Sequence, residues 1–362
     1  MQVVVYTDSA GIGGAEISLS HLAANVSDKI EVTVMGRSEL VVEAIAQGTQ
    51  ARKLVLPNNS LLTHLAALLR LRPDVVHINL CTPWAGATGL AAALMLPRAR
   101  VVRVDQLPLR TTDLLTWWRT RVFSLRVDAH VAVGAASARL MEDFYALGRH
   151  TVLCIPNCVP DLADAPQSSV QLEAKLTIGS IGRLDAMKGH DLLLRAIASV
   201  DGVQLVILGE GEERAALEQL AVDLGISDRV KLLGWVENPR AYLPKFDLVA
   251  QPSRSEGFPL AIVEAMLAAR PVVATRVGSV AEAVIDGETG FLVEKNDIAG
   301  LAGALRKLRD DTDLRLRFGQ KGREVAKNNF TVKQMSDRYE RLWYELLARP
   351  QVPRFFVPRP KD

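Results

Sequence analysis

Twice along this chain, short β-branched runs alternate with longer Ala- and Leu-rich stretches, and one segment that fits neither pattern separates the two series. The first series comprises QVVVY (2–6), EVTVM (31–35), ARKLVL (51–56), DVVHI (74–78), RVVRV (100–104), DAHVAV (128–133) and TVLCIP (151–156), with a helix-like stretch from Ser137 to Leu147 before the last. Such strands belong in parallel sheets, because a crossover helix must return the chain between parallel neighbours and then covers the sheet. Residues 156–171, PNCVPDLADAPQSSVQ, break the rhythm with Pro, Asp and Ser and read as an interdomain linker. The rhythm restarts with LTIGSIG, VQLVILG, VKLLG, FDLVAQP and PVVAT, then turns mostly helical after Gly290.

The expected fold is therefore α/β, with two doubly wound Rossmann-like domains facing a cleft lined by the carboxyl edges of both sheets. The boundaries are 1–158 for the first domain, 159–171 for the linker and 172–328 for the second domain. A closing helix occupies 329–349, and a flexible Pro- and Arg-rich tail occupies 350–362. In that helix Met335, Tyr339, Leu342 and Trp343 recur near helical spacing, so one face must be buried.

Composition narrows the function. The 362 residues carry 43 basic and 41 acidic side chains, a balance too even for a nucleic-acid binder. The start MQVVVY has no basic n-region or cleavage site, so no signal peptide is expected. The longest uncharged apolar run, Trp84–Leu96, has 13 residues, against about 20 needed to span a bilayer, and reads as a buried helix. Cys81, Cys154 and Cys158 suit a reducing compartment, and CIPNC lacks the second Cys/His pair of a zinc site. A cytoplasmic protein is expected.

Three segments carry chemistry. Gly11, Gly13 and Gly14 follow the first strand and open the first helix, either as a plain tight turn or as a place where backbone approaches a phosphate or sugar. In GSIGRLDAMKGHDLL, Arg183 and Lys188 precede a helix starting near Gly189; they are either a diphosphate site or two solvated charges. In PSRSEGFPLAIVEAMLAARPVV, Pro259 suits a first helical turn, so Phe258–Ala269 is expected to be helical with Glu256 just outside it. The amides there can hold phosphate, Glu264 can accept both hydroxyls of a ribose, and Glu256 can grip the sugar. Taken singly, each glutamate also reads as a cap or a surface carboxylate. His21, His64, His130 and His150 are expected in core or surface roles without partners, while His190 could touch phosphate.

Taken in order, GGAE (13–16), GRLDAMKG (182–189), LGEG (208–211), LLGWV (232–236) and EGFPLAIVE (256–264) resemble the motifs of family-four glycosyltransferases with the GT-B fold. That group includes glycogen-synthase-like and phosphatidylinositol-mannosyltransferase-like enzymes, and the resemblance spans nearly the whole chain. It implies a retaining, metal-independent transfer of a hexose-type sugar from a nucleotide diphosphate donor to a glycan or lipid-linked acceptor, with no cofactor. It implies donor binding by Gly13, Gly14, Arg183, Lys188, Gly209, Val236, Glu256, Gly257, Phe258, Pro259, Leu260 and Glu264. Arg183, Lys188, Glu256 and Asp105 would have catalytic roles, and the terminal helix would cross back to the first domain.

Three departures stand out. Asp105 occupies what looks like the position of a sugar-facing histidine, PNGV becomes PNCV with Cys158, and HxH becomes His77-Ile-Asn79. With no carboxylate nucleophile evident beyond Asp105, a front-face reaction fits retention better. The Asp311-Thr312-Asp313 triplet, a metal motif in other transferases, reads here as a helix cap. A nucleotide-sugar epimerase or hydrolase, or a non-catalytic nucleotide-sugar-binding protein, remains the alternative. Finally, seven arginines between Arg98 and Arg126 accompany an apolar set of Leu114, Leu115, Trp117, Trp118, Val122 and Phe123. Residues 111–126 are either a core helix with a wet basic face or a helix for anionic membrane.

Overall fold

The computed structural model describes residues 1–161 and 176–350, so the expected linker from residue 162 and the tail from residue 351 lie outside the described residues. Two compact units are present: residues 1–158 with the segment from Val332 onward, and Val159–Thr331.

The first unit holds β1 (Gln2–Thr7), β2 (Glu31–Gly36), β3 (Arg52–Val55), β4 (Val75–Leu80), β5 (Arg100–Asp105), β6 (Ala129–Ala132) and β7 (Val152–Cys154). They form one sheet in the order β3-β2-β1-β4-β5-β6-β7, with every neighbouring pair parallel. The two central strands, β4 and β5, are buried along their full length, which is why they show no apolar/polar alternation. The terminal helix Val332–Ala348 packs within this unit through Met335, Tyr339, Leu342 and Trp343. His77 of β4 meets the edges of Tyr339 and Trp343, at centroid distances of 5.0 and 5.9 Å.

The second unit holds β8 (Leu176–Ile181), β9 (Val203–Leu208), β10 (Val230–Gly234), β11 (Leu248–Gln251), β12 (Val272–Thr275) and β13 (Gly290–Val293). Their order is β10-β9-β8-β11-β12-β13, again all parallel. The edge strand β13 corrects the sequence reading, which turned helical after Gly290: four residues beginning with glycine offer no period to read. Ile178, Leu205 and Ile207 of the sheet pack under Leu193, Ile197, Leu301 and Leu305, each such side chain contributing about 1.5–3 kcal/mol. Residues 159–161 are tied to this unit. Val159 bridges Thr331 in parallel, the Pro160 carbonyl accepts from Arg240 Nη2, and Asp161 pairs with Arg323 at 3.1 Å.

Both sheets reverse their order beside their first strand, between β1 and β4 and between β8 and β11. In open α/β sheets that reversal leaves a crevice at the carboxyl ends, where ligands bind. The loops it selects are Gly11–Gly14 after β1, Gly182–Gly189 after β8 and Pro252–Pro259 after β11. Trp84–Leu96 contains the short helix Ala87–Leu94, and among the described residues no helix is long and apolar enough to cross a membrane.

Candidate active site

At the second switch point, three loops are locked against one another by backbone. Gly209 leaves β9 at φ 151°, where a side chain would strike the Gly182 carbonyl; this close approach places the Gly209–Gly211 turn under the loop after β8. Gly189 caps the helix His190–Ala198 in the left-handed region, at φ 67°, and a Cβ there would strike the Pro252 carbonyl. The loops after β8 and β11 are thus in backbone contact. Arg254 clasps them from outside: it is bidentate to Asp191 at 2.7 Å for each bond and donates to the Ala186 carbonyl at 2.8 Å. Burial works against the Asp191 charge, but Arg254 outweighs it and holds that carboxyl below its ordinary value.

Inside the clasp, Lys188 Nζ and Ser253 Oγ both donate to Glu256 Oε1, each at 2.7 Å. The side chains of Lys188 and Glu256 are 21% and 8% exposed, so this pair is mostly shielded from solvent. Among the described residues no donor reaches Glu256 Oε2. Arg183 is placed differently. Its side chain is 65% exposed and pairs with Asp185 at 2.9 Å, outside the Lys188–Glu256 contact. His190 is buried, neither ring nitrogen is hydrogen-bonded among the described residues, and burial, assisted by the Lys188 charge, lowers its pKa to about 4.

The helix after this loop is Leu260–Leu267, shorter than the expected Phe258–Ala269. Pro259 is extended at ψ 96° and precedes the helix, because Phe258 turns inward against Phe330 at 5.3 Å. Ala268 caps the other end, and Ala269 lies beyond it at φ 55°. The Ile262 and Val263 amides donate to the Pro259 carbonyl, at 3.1 and 3.4 Å, so the amides of Leu260 and Ala261 are the ones presented at the positive end of the helix dipole. Gly257 faces inward too, its carbonyl accepting from Ser279 N at 3.2 Å. Glu264 is on the same helix, and Arg240 Nε stands 3.6 Å from its Oε1. Burial raises the Glu264 pKa to about 7 against the opposing charge of Arg240. Val236 is half-buried just past β10, beside Trp235, whose side chain lies open to solvent.

Gly13, Gly14 and Asp105 belong to the first unit. Gly13 caps the helix Gly14–Asn25, and its N–H donates to Glu16 Oε2 at 3.0 Å; Cys81 donates to the other oxygen at 3.2 Å. Behind that helix runs a chain of side-chain hydrogen bonds: Ser18 to Asn157, Asn157 to Gln106 and Gln106 to Asn79, each 2.7 Å, then Asn79 to the Ala15 carbonyl at 3.3 Å.

Asp105 corrects the reading of a sugar-facing residue. Its side chain is 0% exposed, Arg103 is bidentate to it at 2.8 and 3.0 Å, and His130 Nε2 lies 2.5 Å away. Burial works against ionisation, but Arg103 and His130 outweigh it and hold the carboxyl at about 2. Both oxygens are spent on the protein. Arg103 also donates to the carbonyls of Thr120 and Pro83, and Ser124 lies 2.8 Å from His130 Nδ1. The expectation of partnerless histidines fails with it: His130 sits in this network, His64 lies 3.0 Å from the Tyr6 hydroxyl, and His21 Nδ1 is 3.3 Å from the Cys158 carbonyl. The signal was present in the sequence, since Arg103 and Asp105 share a strand face and β6 places His130 opposite Arg103. Arg240 and Arg254 gave no such signal, because their partners lie 24 and 63 residues away.

Two doubly wound parallel sheets in one chain, the second with its polar groups converging on the switch point, define the GT-B class of α/β architecture. Comparison with known proteins agrees. Residues 12–161 match the family model described as Glycosyltransferase Family 4, and residues 163–325 match that described as Glycosyl transferases group 1. The chain belongs to the family-four glycosyltransferases. It is 34% identical over 205 residues to the lipopolysaccharide core biosynthesis glycosyltransferase LpsE of Rhizobium meliloti (strain 1021), covering 56% of this chain and 57% of LpsE. The match thus spans little more than half of that relative. The N-acetyl-alpha-D-glucosaminyl L-malate synthase of Bacillus anthracis is 25% identical over 290 residues, covering 76% of this chain and 75% of the synthase. Among solved structures, Anabaena Alr3699/HepE in complex with UDP superposes with a TM-score of 0.83 at 22% identity, covering 95% of this chain and all (100%) of HepE. That likeness is one of fold.

Proposed function

We propose that the protein moves a hexose-type sugar from a nucleotide diphosphate donor to a glycan or lipid-linked acceptor, retaining the anomeric configuration and using no metal ion. The observation that carries the reading is the Lys188–Glu256 pair at 2.7 Å, beside the helix amides that begin at Leu260. Cleavage leaves negative charge on the departing diphosphate, and fixed cations and amides aimed at it lower the barrier most. Lys188 and Arg183 supply the cations, Gly13 and Gly14 contact phosphate or sugar, and Gly257, Phe258, Pro259 and Leu260 offer backbone. Glu256 grips the transferred sugar through its open Oε2, Glu264 holds the ribose, and Gly209 and Val236 frame the base. The enclosure of Asp105 favours a front-face path in which the leaving phosphate takes the acceptor proton. HepE has been solved with UDP-glucose, and LpsE is named for lipopolysaccharide core biosynthesis, which supports a nucleotide-sugar donor and a glycan acceptor.

The helix Leu114–Ser124 supports a lipid-linked acceptor met at the cytoplasmic face of a membrane. Leu114, Leu115 and Trp118 are 73%, 79% and 56% exposed, while Trp117 turns inward to donate to the Phe144 carbonyl. Arg121 stacks over Trp117 at 4.6 Å, adding charge beside the apolar face.

Incubation with UDP-glucose, GDP-mannose and ADP-glucose tests the reading. One of them should raise the melting temperature by mass action, and with an acceptor should yield a product of unchanged anomeric configuration by NMR. Activity should persist in chelator; a loss restored by magnesium or manganese would overturn the metal-free mechanism. Failure of all three donors to bind would overturn the donor site. Pelleting with anionic vesicles, lost in Trp118→Ser, is expected for the membrane face.

A further inference from the structure

Glu264 and Arg240 form an unusual contact for a buried ion pair. The carboxylate and the guanidinium are 3.6 Å apart, 11% and 19% exposed, and not hydrogen-bonded to each other. Arg240 Nε has no hydrogen-bond partner among the described residues, while its Nη2 is committed to the Pro160 carbonyl at 2.5 Å. Among the described residues no donor reaches either oxygen of the Glu264 carboxylate. Most arginines in this unit close on their partner, as Arg254 does on Asp191 at 2.7 Å. This one is held back from it.

Arg240 is held by its surroundings. It belongs to the 3-10 turn Pro239–Lys245, which follows β10 and the Val236 segment and packs on the helix Leu260–Leu267. The Pro160 carbonyl fixes the far end of the guanidinium, and Asp161 beside it adds an attracting charge. The other elements packed on the Glu264 helix are β11, β12 and the helix Thr312–Asn329. The two strands, LVAQ and VVAT, carry no charged side chain. The helix brings Arg323 and Lys327, and both are engaged by Asp161. Lys245 and Tyr242 complete the turn. Among the described residues, the charge that acts on Glu264 is that of Arg240.

We infer that Arg240 is a positioning residue for the donor: it favours the ionised form of Glu264 in a buried place and leaves both carboxylate oxygens open to the ribose hydroxyls. The inference rests on the reading that Glu264 holds the ribose. Burial alone favours the protonated carboxyl, and a cation at hydrogen-bonding distance would occupy the oxygens the ribose needs. An arginine anchored at 3.6 Å meets both demands. It supplies charge without taking the acceptor sites.

The experiment is calorimetric titration of whichever of UDP-glucose, GDP-mannose or ADP-glucose binds. These donors are used because both phosphates are esterified and do not titrate between pH 6 and 9. Wild-type affinity should climb with pH through about 7, where Glu264 titrates. Arg240→Met should lose about fivefold or more at pH 7, as expected when a carboxyl that titrates near 7 has its pKa raised by a unit or more, and recover most of it by pH 9. Arg240→Lys should follow the wild-type profile more closely, and kcat should change far less than KM in both. Glu264→Gln should bind weakly with no pH dependence, and adding Arg240→Met to it should cost no more than twofold further. A loss in Arg240→Met that is equal at every pH, or that adds fully to that of Glu264→Gln, would overturn the inference and make Arg240 a direct or purely structural contact. If Arg240→Met fails to fold, the pH profile of Arg240→Lys and the flatness of Glu264→Gln decide instead. Failure of wild-type protein to bind any donor at pH 8 would strike the donor reading itself, and this inference with it.

Discussion

The two switch points share one topology and treat their polar groups in opposite ways. In the first unit, the groups at the carboxyl edge satisfy each other: Asp105 is enclosed by Arg103 and His130, and Ser18, Asn157, Gln106 and Asn79 are linked in series. In the second unit, acceptor capacity is left over. Among the described residues, Glu256 keeps one oxygen open, both Glu264 oxygens are open, and Arg183 remains mostly in solvent. A strand order alone therefore does not identify a site. Unspent hydrogen-bonding capacity, held in place by a closed outer ring such as Arg254 and Asp191, distinguishes a surface built for a ligand from one built for itself.

The sharpest way to break that comparison is to remove one member from each edge. Asp105→Ala should destabilise the first unit by about 3–5 kcal/mol, because it strands Arg103 and its charge in the core. The protein that stays folded, at reduced temperature, should retain near-normal kcat. A kcat collapse in stable Asp105→Asn protein would return Asp105 to the chemistry and erase the contrast. Lys188→Ala should do the reverse: a melting temperature within a few degrees of wild type, with kcat lower by about 10²–10³.

Acid should separate the units more gently. His77 is lowered to about 3 and His190 to about 4, in both cases chiefly by burial, and burial also lowers His130. A depressed folded-state pKa means the unfolded chain takes up protons first. The contribution of neutral His77 and His190 is whole above about pH 6.5 and falls as pH drops, the loss reaching roughly 2 kcal/mol for each at pH 5, and His130 acts in the same direction. The first unit carries two of these and the second carries one, so urea melts at pH 5 should show the first unit weakened more. His77→Gln should flatten that dependence; an unchanged slope would contradict the assignment. The smallest effect expected is that of Ser18→Ala, about 0.5–1.5 kcal/mol, since it removes one link from a relay whose other members stay paired.

Much of this was legible before any coordinates. Strands buried on both faces with helices between them admit few arrangements, so both parallel sheets followed from the rhythm, apart from β13. The short run Gly290–Val293 has too few residues to express a period. Lys188, Glu256 and Glu264 were legible as candidates because ordered motifs placed them together. Their partners were not: the positions of Arg240 and Arg254 depend on how distant loops meet. The later helix start, with Pro259 still extended, differs from the sequence reading because proline suits both a first helical turn and the residue before it, and the inward turn of Phe258 decides between them. Asp105 was misread in another way. Its position relative to the motifs suggested a role, while Arg103 two residues earlier on the same strand already named its partner.

The parallel bridge between Val159 and Thr331 brings together the two places where the chain passes from one unit to the other. In genetic terms the second unit is a cassette: one uninterrupted reading segment, 159–331, whose two ends emerge side by side. Such a segment can be exchanged between related genes with two adjacent crossovers. A donor preference written in the loops after β8 and β11 would then travel with it, while whatever the first unit recognises would stay behind.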